Sequence, residues 1–119
     1  MSRELVAIAA RAASEKSFDE VVVLDVGALI AITDYFVVAS GRNDRQVRAI
    51  VDEVSRRVRE AGGTLRQSEG LDDARWVLLD YGDFVVHVFD AEARDYYALE
   101  RLWADAPRVP LEDELVARR

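Results

Sequence analysis

The chain has 119 residues, of which half are hydrophobic and a third are charged, and its formal net charge is −7. This length suits a single globular domain with its own core, and we predict a domain over residues 1–106 followed by a charged tail over residues 107–119. Cysteine is absent, which excludes disulfides, thiolate metal sites and thiol nucleophiles. The acidic balance disfavours a protein that coats nucleic acid and favours one that binds a basic protein partner.

The sequence contains no apolar run that approaches the ~20 residues needed to span a bilayer. The Ala-rich N-terminal stretch is interrupted by Glu4, Arg11 and Glu15, which is unlike a signal peptide. With the absence of cysteine, these features predict a cytoplasmic protein without membrane association.

The first half of the chain shows a helix, two strands and a second helix. Residues 3–14 have helical spacing of apolar residues, with Ser2 as a candidate N-cap. Residues 18–26 and 35–40 are runs of β-branched and aromatic residues, apolar enough to be central strands covered on both faces. A second helix starts at Asn43 or Asp44, since Val and Ile then recur at three- and four-residue intervals.

The stretch from residue 75 to residue 89 predicts two antiparallel strands joined by a tight turn, after a short strand at residues 64–67. With Asp80 paired to Asp83, one face of this hairpin carries only apolar side chains and suits a core under helices. The other face mixes large aromatics with polar groups, as partner-binding faces often do; it consists of Trp76, Leu78, Asp80, Val85, His87 and Phe89. The alternative is that both faces are buried and Trp76 belongs to the core.

A third helix, capped by Asp90, is predicted from Ala91 to about Trp103. The full order is helix, strand, strand, helix, short strand, strand, strand, helix. This order predicts an α+β (mixed α/β) fold: a single mixed sheet with helices packed mainly on one face.

Motifs for catalysis, cofactors and metals are weak in this sequence. The step from Gly41 to Asp44 lacks the further glycines or the Gly-Lys-Ser/Thr ending of a phosphate loop. His87 is the only histidine, so a specific metal-ligand pattern is missing. Asp80 and Asp83 are better explained as turn residues or as acceptors for a partner's basic groups than as paired catalytic acids. We therefore predict no catalytic residues, no cofactor and no metal.

Several separate motifs, in order along the chain, closely resemble the Iojap family, the ribosomal silencing factors called RsfS. They cover residues 34–41, 45–47, 69–70, 76–83, 86–89 and 94–103. The segment of residues 42–44 departs from the Thr-Ser-type step of the family, and the tail after Pro107 lies outside the resemblance.

The resemblance implies a nucleotidyltransferase-like fold used without catalysis. It implies a protein that binds the fourteenth protein of the large ribosomal subunit (uL-fourteen), sterically blocks small-subunit joining and represses translation under nutrient limitation. It also implies a homodimer away from the ribosome and no sequence-specific binding of nucleic acid. The alternative function is a nucleotide-binding or nucleotidyltransferase-type enzyme, which rests on analogy of fold.

The predicted partner-binding residues combine acids that pair with basic groups and aromatic or apolar side chains that provide contact area. They are Trp76, Leu78, Asp80, Asp83, His87, Phe89, Asp90, Tyr96, Tyr97, Glu100 and Trp103.

Overall fold

The computed structural model describes residues 2–18, 20–97, 104 and 106–109. The helices in this part of the chain are α1 (Ser2–Ser14), α2 (Asp44–Glu60) and α3 (Ala91–Tyr97). The strands are β1 (Val22–Asp25), β2 (Tyr35–Gly41), β3 (Gln67–Glu69), β4 (Trp76–Asp80) and β5 (Phe84–Asp90). The order of elements matches the sequence-based prediction.

The five strands form one mixed sheet with the order β1-β2-β5-β4-β3. The central β2 and β5 are parallel, and the β1–β2, β4–β5 and β3–β4 pairs are antiparallel. This arrangement confirms the predicted α+β fold. Residues 107–109 lie along the outer edge of β1, where the Asp25 N–H donates to the Pro107 carbonyl over 2.8 Å. The domain boundary at residue 106 stays a prediction, although this contact ties the start of the predicted tail to the sheet.

The first face of the sheet, here called the helix face, is covered by α1 and α2. Four alanines of α1 are fully buried: Ala9, Ala10, Ala12 and Ala13. Their small side chains let the helix pack closely against the sheet. The apolar stripe of α2 runs from Val47 to Val58 and joins the same core. The strand residues under these helices are at most 1% exposed: Val37, Val77, Leu79, Phe84, Val86 and Val88.

The start of α2 packs tightly against the end of β2. A Cβ atom on Gly41 would lie 2.7 Å from the Val47 backbone nitrogen, so only glycine fits there. Asn43 is the N-cap, and its side chain accepts a hydrogen bond from the Gln46 N–H over 2.9 Å. The Gln46 side chain accepts in turn from the Arg42 N–H. The predicted cap is thus confirmed.

The β4–β5 hairpin is confirmed, but its predicted register is wrong. Trp76 pairs with Phe89 and Asp80 with Val85, instead of Trp76 with His87 and Asp80 with Asp83. The turn is shifted by one residue because the Tyr81 N–H donates to the Phe84 carbonyl over 2.9 Å. Gly82, with φ of +89°, takes a turn position that disfavours other residues. The shift moves each partner by two positions, so the predicted membership of both faces is preserved.

Several predicted boundaries differ from the structure. The first strand covers Val22–Asp25 rather than residues 18–26, and the short strand covers Gln67–Glu69 rather than residues 64–67. Ser2 lies within α1 and is not its cap. The predicted continuation of α3 through residues 98–103 lies outside the described residues.

Candidate functional site

Among residues 2–18, 20–97, 104 and 106–109, only part of the width of the second face of the sheet, here called the open face, is covered. Near β1 and the end of β5, a small apolar cluster closes it with help from Ala93 of α3 and Ala106. Across the rest of β2, β5, β4 and β3 the sheet forms a groove of about 590 Å³. The groove is lined by Ile30, Ile32, Thr33, Phe36, Arg66, Gln67, Glu69, Leu78, Asp80, Gly82, Val85 and His87.

The floor of the groove is organised by contacts between Trp76 and its neighbours on β5. The Trp76 indole stacks on Phe89, with ring centroids 5.0 Å apart. Its Nε1–H donates a hydrogen bond to His87 Nδ1 over 3.1 Å. Phe36 of β2 meets the His87 ring at 71°, with centroids 4.5 Å apart. These contacts fix the imidazole between two strands.

His87 is neutral in this setting. Burial lowers the pKa of its imidazole from 6.5 to about 4, because removal from water disfavours the charged form. Nδ1 accepts the hydrogen bond from Trp76, so the single ring proton of the neutral form lies on Nε2. The floor therefore carries an uncharged hydrogen-bond donor among apolar side chains.

One wall of the groove is the irregular segment between β1 and β2, residues 27–34. It exposes large apolar side chains, with Ile32 85% exposed and Leu29 48% exposed. Isolated apolar residues are common on surfaces, but Ile32 adjoins an apolar floor formed by Phe36 and Val85. The wall and the floor together expose several neighbouring apolar side chains with polar residues around them, which is typical of a contact site for another macromolecule.

Carboxylates lie at the end of the groove near the hairpin turn. Asp34 and Asp83 are exposed, and the Asp34 N–H donates to the Asp83 carbonyl over 2.8 Å, which holds the two loops together. Asp80 is half-buried and accepts a hydrogen bond from the Gly82 N–H. Within the described part of the chain, none of these three carboxylates forms a salt bridge with Lys or Arg. This end of the groove is thus suited to basic groups.

The structure brings four of the predicted partner-binding residues together on the open face. Trp76, Leu78 and Asp80 are half-buried on β4, and Asp83 is exposed in the adjoining turn. Among the described residues, the Trp76 indole has ring contacts with His87 and Phe89 of the neighbouring strand. The prediction that these residues contact a partner stays a prediction.

Two predicted contact residues are buried. Phe89 is 0% exposed and belongs to the small core cluster, where it supports Trp76 from below. His87 is 4% exposed and lines the groove. That either residue contacts a partner stays a prediction. The alternation of side chains along β5 correctly predicted the face on which both residues lie. It did not predict which residues pack over them.

Asp90 uses its carboxylate within the chain, and its contact with a partner stays a prediction. One oxygen accepts from the Ala93 N–H over 2.7 Å and caps α3, as predicted. The other lies 3.5 Å from Arg75 Nε. A carboxylate with two internal partners is a poor acceptor for a further protein.

The remaining predicted residues lie partly or wholly outside the part of the chain that the structure describes. Tyr96 and Tyr97 belong to α3, but their side chains are outside the described part. Glu100 and Trp103 lie outside the described residues altogether. Their proposed contacts stay predictions.

Sequence reasoning missed the groove wall and the contribution of β2 to the floor. Ile30, Ile32 and Thr33 lie in a stretch without periodicity between the first two strands. Phe36 and Val85 become neighbours only because β2 pairs with β5 in parallel. The one local signal was the cluster Leu29, Ile30 and Ile32 in an otherwise turn-like segment.

The described residues can also be compared with the requirements of a metal site, a membrane-spanning helix and an anion site. Within residues 2–18, 20–97, 104 and 106–109, no group of three or more His, Asp or Glu side chains is placed to hold a metal ion. No described helix combines the length and apolar character that crossing a membrane requires. At the start of α2, the Asn43 and Gln46 side chains already occupy backbone N–H groups that an anion would need.

Comparison with known proteins identifies the family. The family described as "Ribosomal silencing factor during starvation" matches residues 1–119. The ribosomal silencing factor RsfS of Bacillus subtilis is 42% identical over 110 residues, covering 92% of this chain and 93% of that protein.

Solved structures agree with the fold. A crystal structure of a Chromobacterium violaceum protein superposes with a TM-score of 0.81 at 37% identity, covering 85% of this chain and 84% of that one. One from Bacillus halodurans has a TM-score of 0.78 at 39% identity, covering 90% and 97%. The resemblance in the sequence is thereby confirmed: this chain belongs to the ribosomal silencing factor (RsfS) family.

Proposed function

We propose that this chain binds the large ribosomal subunit through uL-fourteen and prevents the small subunit from joining. It represses translation in the cytoplasm under nutrient limitation by occupying a docking surface, without catalysing a reaction. The observation that carries this proposal is the open apolar groove beside Trp76 and Leu78, in a chain that belongs to a ribosomal silencing family.

Charge supports a ribosomal protein as the partner. Ribosomal proteins are generally basic, whereas this chain has a formal net charge of −7. Asp80 and Asp83 stand at one end of the groove without salt bridges to described Lys or Arg residues. Opposite charges accelerate association and fix the orientation of the partners, while apolar side chains in the centre contribute most of the affinity.

The same face is also a candidate surface for the homodimer that the resemblance implies. A groove with Ile32 beside it leaves apolar surface in contact with water, which association removes. We therefore propose that the dimer uses the open face, so that dimerisation and ribosome binding compete. Sedimentation velocity of wild type and Leu78→Ala tests this point, because a dimer through another surface would leave the two proteins alike.

Co-sedimentation with separated ribosomal subunits tests the main proposal. Wild type is expected in the pellet with the large subunit and in the supernatant with the small one. Leu78→Arg is expected to lose binding, because it places a charge in the apolar groove, and the milder Leu78→Ala to weaken it. Phe18→Ala is the matched control: Phe18 is also exposed and apolar, but its N–H bonds to the Ser40 carbonyl at the far end of β2.

The outcome that contradicts the proposal is specific. If Leu78→Arg retains a native circular dichroism spectrum and still pellets with the large subunit as wild type does, the open face is not the contact surface. If wild type pellets with the small subunit and not with the large one, the large subunit is not its target.

A further inference from the structure

Buried polar atoms without hydrogen-bond partners are concentrated at the groove. Among the described residues, three side-chain atoms are buried and lack such a partner: Thr33 Oγ1, Tyr81 Oη and His87 Nε2. Buried polar atoms are nearly always paired, so each exception needs an explanation. Thr33 and His87 both line the groove, whereas Tyr81 packs on the helix face, stacked on Phe84 at 4.9 Å.

The two groove residues have defined hydrogen-bonding capacities. His87 Nε2 carries the ring proton, because Nδ1 accepts from Trp76, and it can therefore only donate. The Thr33 hydroxyl can donate or accept. His87 is 4% exposed and Thr33 is 7% exposed, so bulk water does not readily satisfy either group.

Thr33 belongs to the wall formed by residues 27–34, and both Thr33 and His87 line the groove. Backbone hydrogen bonds hold this segment in place: Leu29 and Ile30 donate to the Val26 carbonyl, Val26 donates to the Asp34 carbonyl, and Asp34 donates to the Asp83 carbonyl. The wall therefore places the Thr33 hydroxyl at the same groove as the His87 ring.

We propose that the partner places a hydrogen-bond acceptor on His87 Nε2–H and a polar group on Thr33 Oγ1, between the apolar side chains of the groove. This inference rests on the proposed function and specifies what the large-subunit protein must present. The occupant is an extended segment of that basic protein. Its main-chain carbonyl and amide groups supply the two hydrogen bonds, and its basic side chains face Asp80 and Asp83.

The two atoms thereby act as specificity determinants. They are unsatisfied in the free chain and become satisfied only in the correct complex. A partner that fills the groove with purely apolar groups leaves them unpaired, which lowers its affinity. Trp76 is a positioning residue in this scheme, since its Nε1–H fixes the tautomer of His87.

Four single variants of the full chain test the inference by titration onto purified large subunits. His87→Phe and Thr33→Val remove one groove atom each, and each is expected to weaken binding about fivefold, the effect of one neutral hydrogen bond. Tyr81→Phe is the matched control, because it removes a buried hydroxyl from the helix face, away from the groove, and its affinity is expected to equal wild type. His87→Gln keeps an N–H donor near the position of Nε2 and is expected to recover part of the loss.

Urea denaturation of each variant separates binding from folding, and Thr33→Val is expected to be at least as stable as wild type. The inference is overturned if folded His87→Phe and Thr33→Val both bind as wild type. It is also overturned if they weaken self-association but not subunit binding, since the occupant is then a second copy. If wild type itself does not bind large subunits, the proposed function fails and this inference fails with it.

Discussion

The helix face and the open face of the sheet are made by the same strands and differ in what covers them. On β4, Val77 and Leu79 are at most 1% exposed under the helices, whereas Trp76 and Leu78 are half-buried on the other side. On β5, Val86 is fully buried and its neighbour Val85 lines the groove.

This difference lets one small sheet have two kinds of face. Successive residues of a strand point to opposite faces, so residues adjacent in sequence lie in the core on one side and in the groove on the other. A substitution on the helix face is therefore expected to act on stability, and one on the open face mainly on the proposed binding.

The adjacent leucines of β4 provide the sharpest test. Leu79→Ala is expected to lower the free energy of unfolding by about 2–5 kcal/mol, because it leaves a cavity in the main core. Leu78→Ala is expected to lower it by less than half as much, since Leu78 is half-buried in the groove. Urea denaturation of both variants measures the contrast, and equal losses would contradict the division between the faces.

His87 predicts how stability depends on pH. Its pKa is about 4 in the folded chain and about 6.5 when unfolded, so between these values the unfolded chain binds a proton that the folded chain does not. Stability is therefore lost as pH falls from about 6.5 to about 4, by roughly 3 kcal/mol in total. The stability difference between wild type and His87→Phe isolates this contribution, because carboxylates titrate in both. A difference that stays constant from pH 7 to pH 4 would contradict the burial of a neutral imidazole.

Ile32 is expected to affect binding without affecting folding. Because it is 85% exposed, Ile32→Ser should change the free energy of unfolding by no more than about 0.5 kcal/mol. It should weaken large-subunit binding by about 1 kcal/mol, or about fivefold, as an apolar contact at the groove wall. Leu29→Ser is the control, since Leu29 lies in the same segment but does not line the groove. Equal binding losses for both would show that the whole segment, rather than the groove, is the contact.

The smallest expected effect is electrostatic. Asp83→Asn removes one exposed charge at the end of the groove and should weaken binding by at most about 1 kcal/mol at low salt. The loss should shrink as salt is added, because ions screen exposed charges. Asp52→Asn on the exposed side of α2 keeps the same net charge as Asp83→Asn and serves as control. If the two variants respond alike to salt, only net charge matters.

Local periodicity was sufficient to predict the elements and the two faces of the hairpin. The stripe of α2 from Val47 to Val58, the Asn43 cap and the Asp90 cap all depend on neighbours within a few residues. The two hairpin faces follow from alternation alone, which is why the predicted faces were correct although the predicted register was wrong. The turn itself was misplaced because the contact of Tyr81 with Phe84 decides its position.

The groove was beyond the reach of local patterns. Its wall is an irregular segment, and its floor joins β2 to β5 through a parallel pairing that sequence order does not reveal. The burial of Phe89 and His87 likewise depends on packing by distant elements, including Ala93 and Ala106. Residues that contact a partner and residues that support them look alike in sequence when both are aromatic.

The parallel pairing of β2 with β5 has a consequence for how the chain folds during its own synthesis. Tyr35 pairs with Phe84 and Gly41 with Asp90, a constant offset of 49 positions. Closing so long a loop is slow compared with forming a local hairpin. The central ladder cannot form until β5 has left the ribosomal exit tunnel, so a nascent chain that ends before residue 84 is expected to remain open to proteases. The central part of the open face is thus expected to form only after β5 has been synthesised.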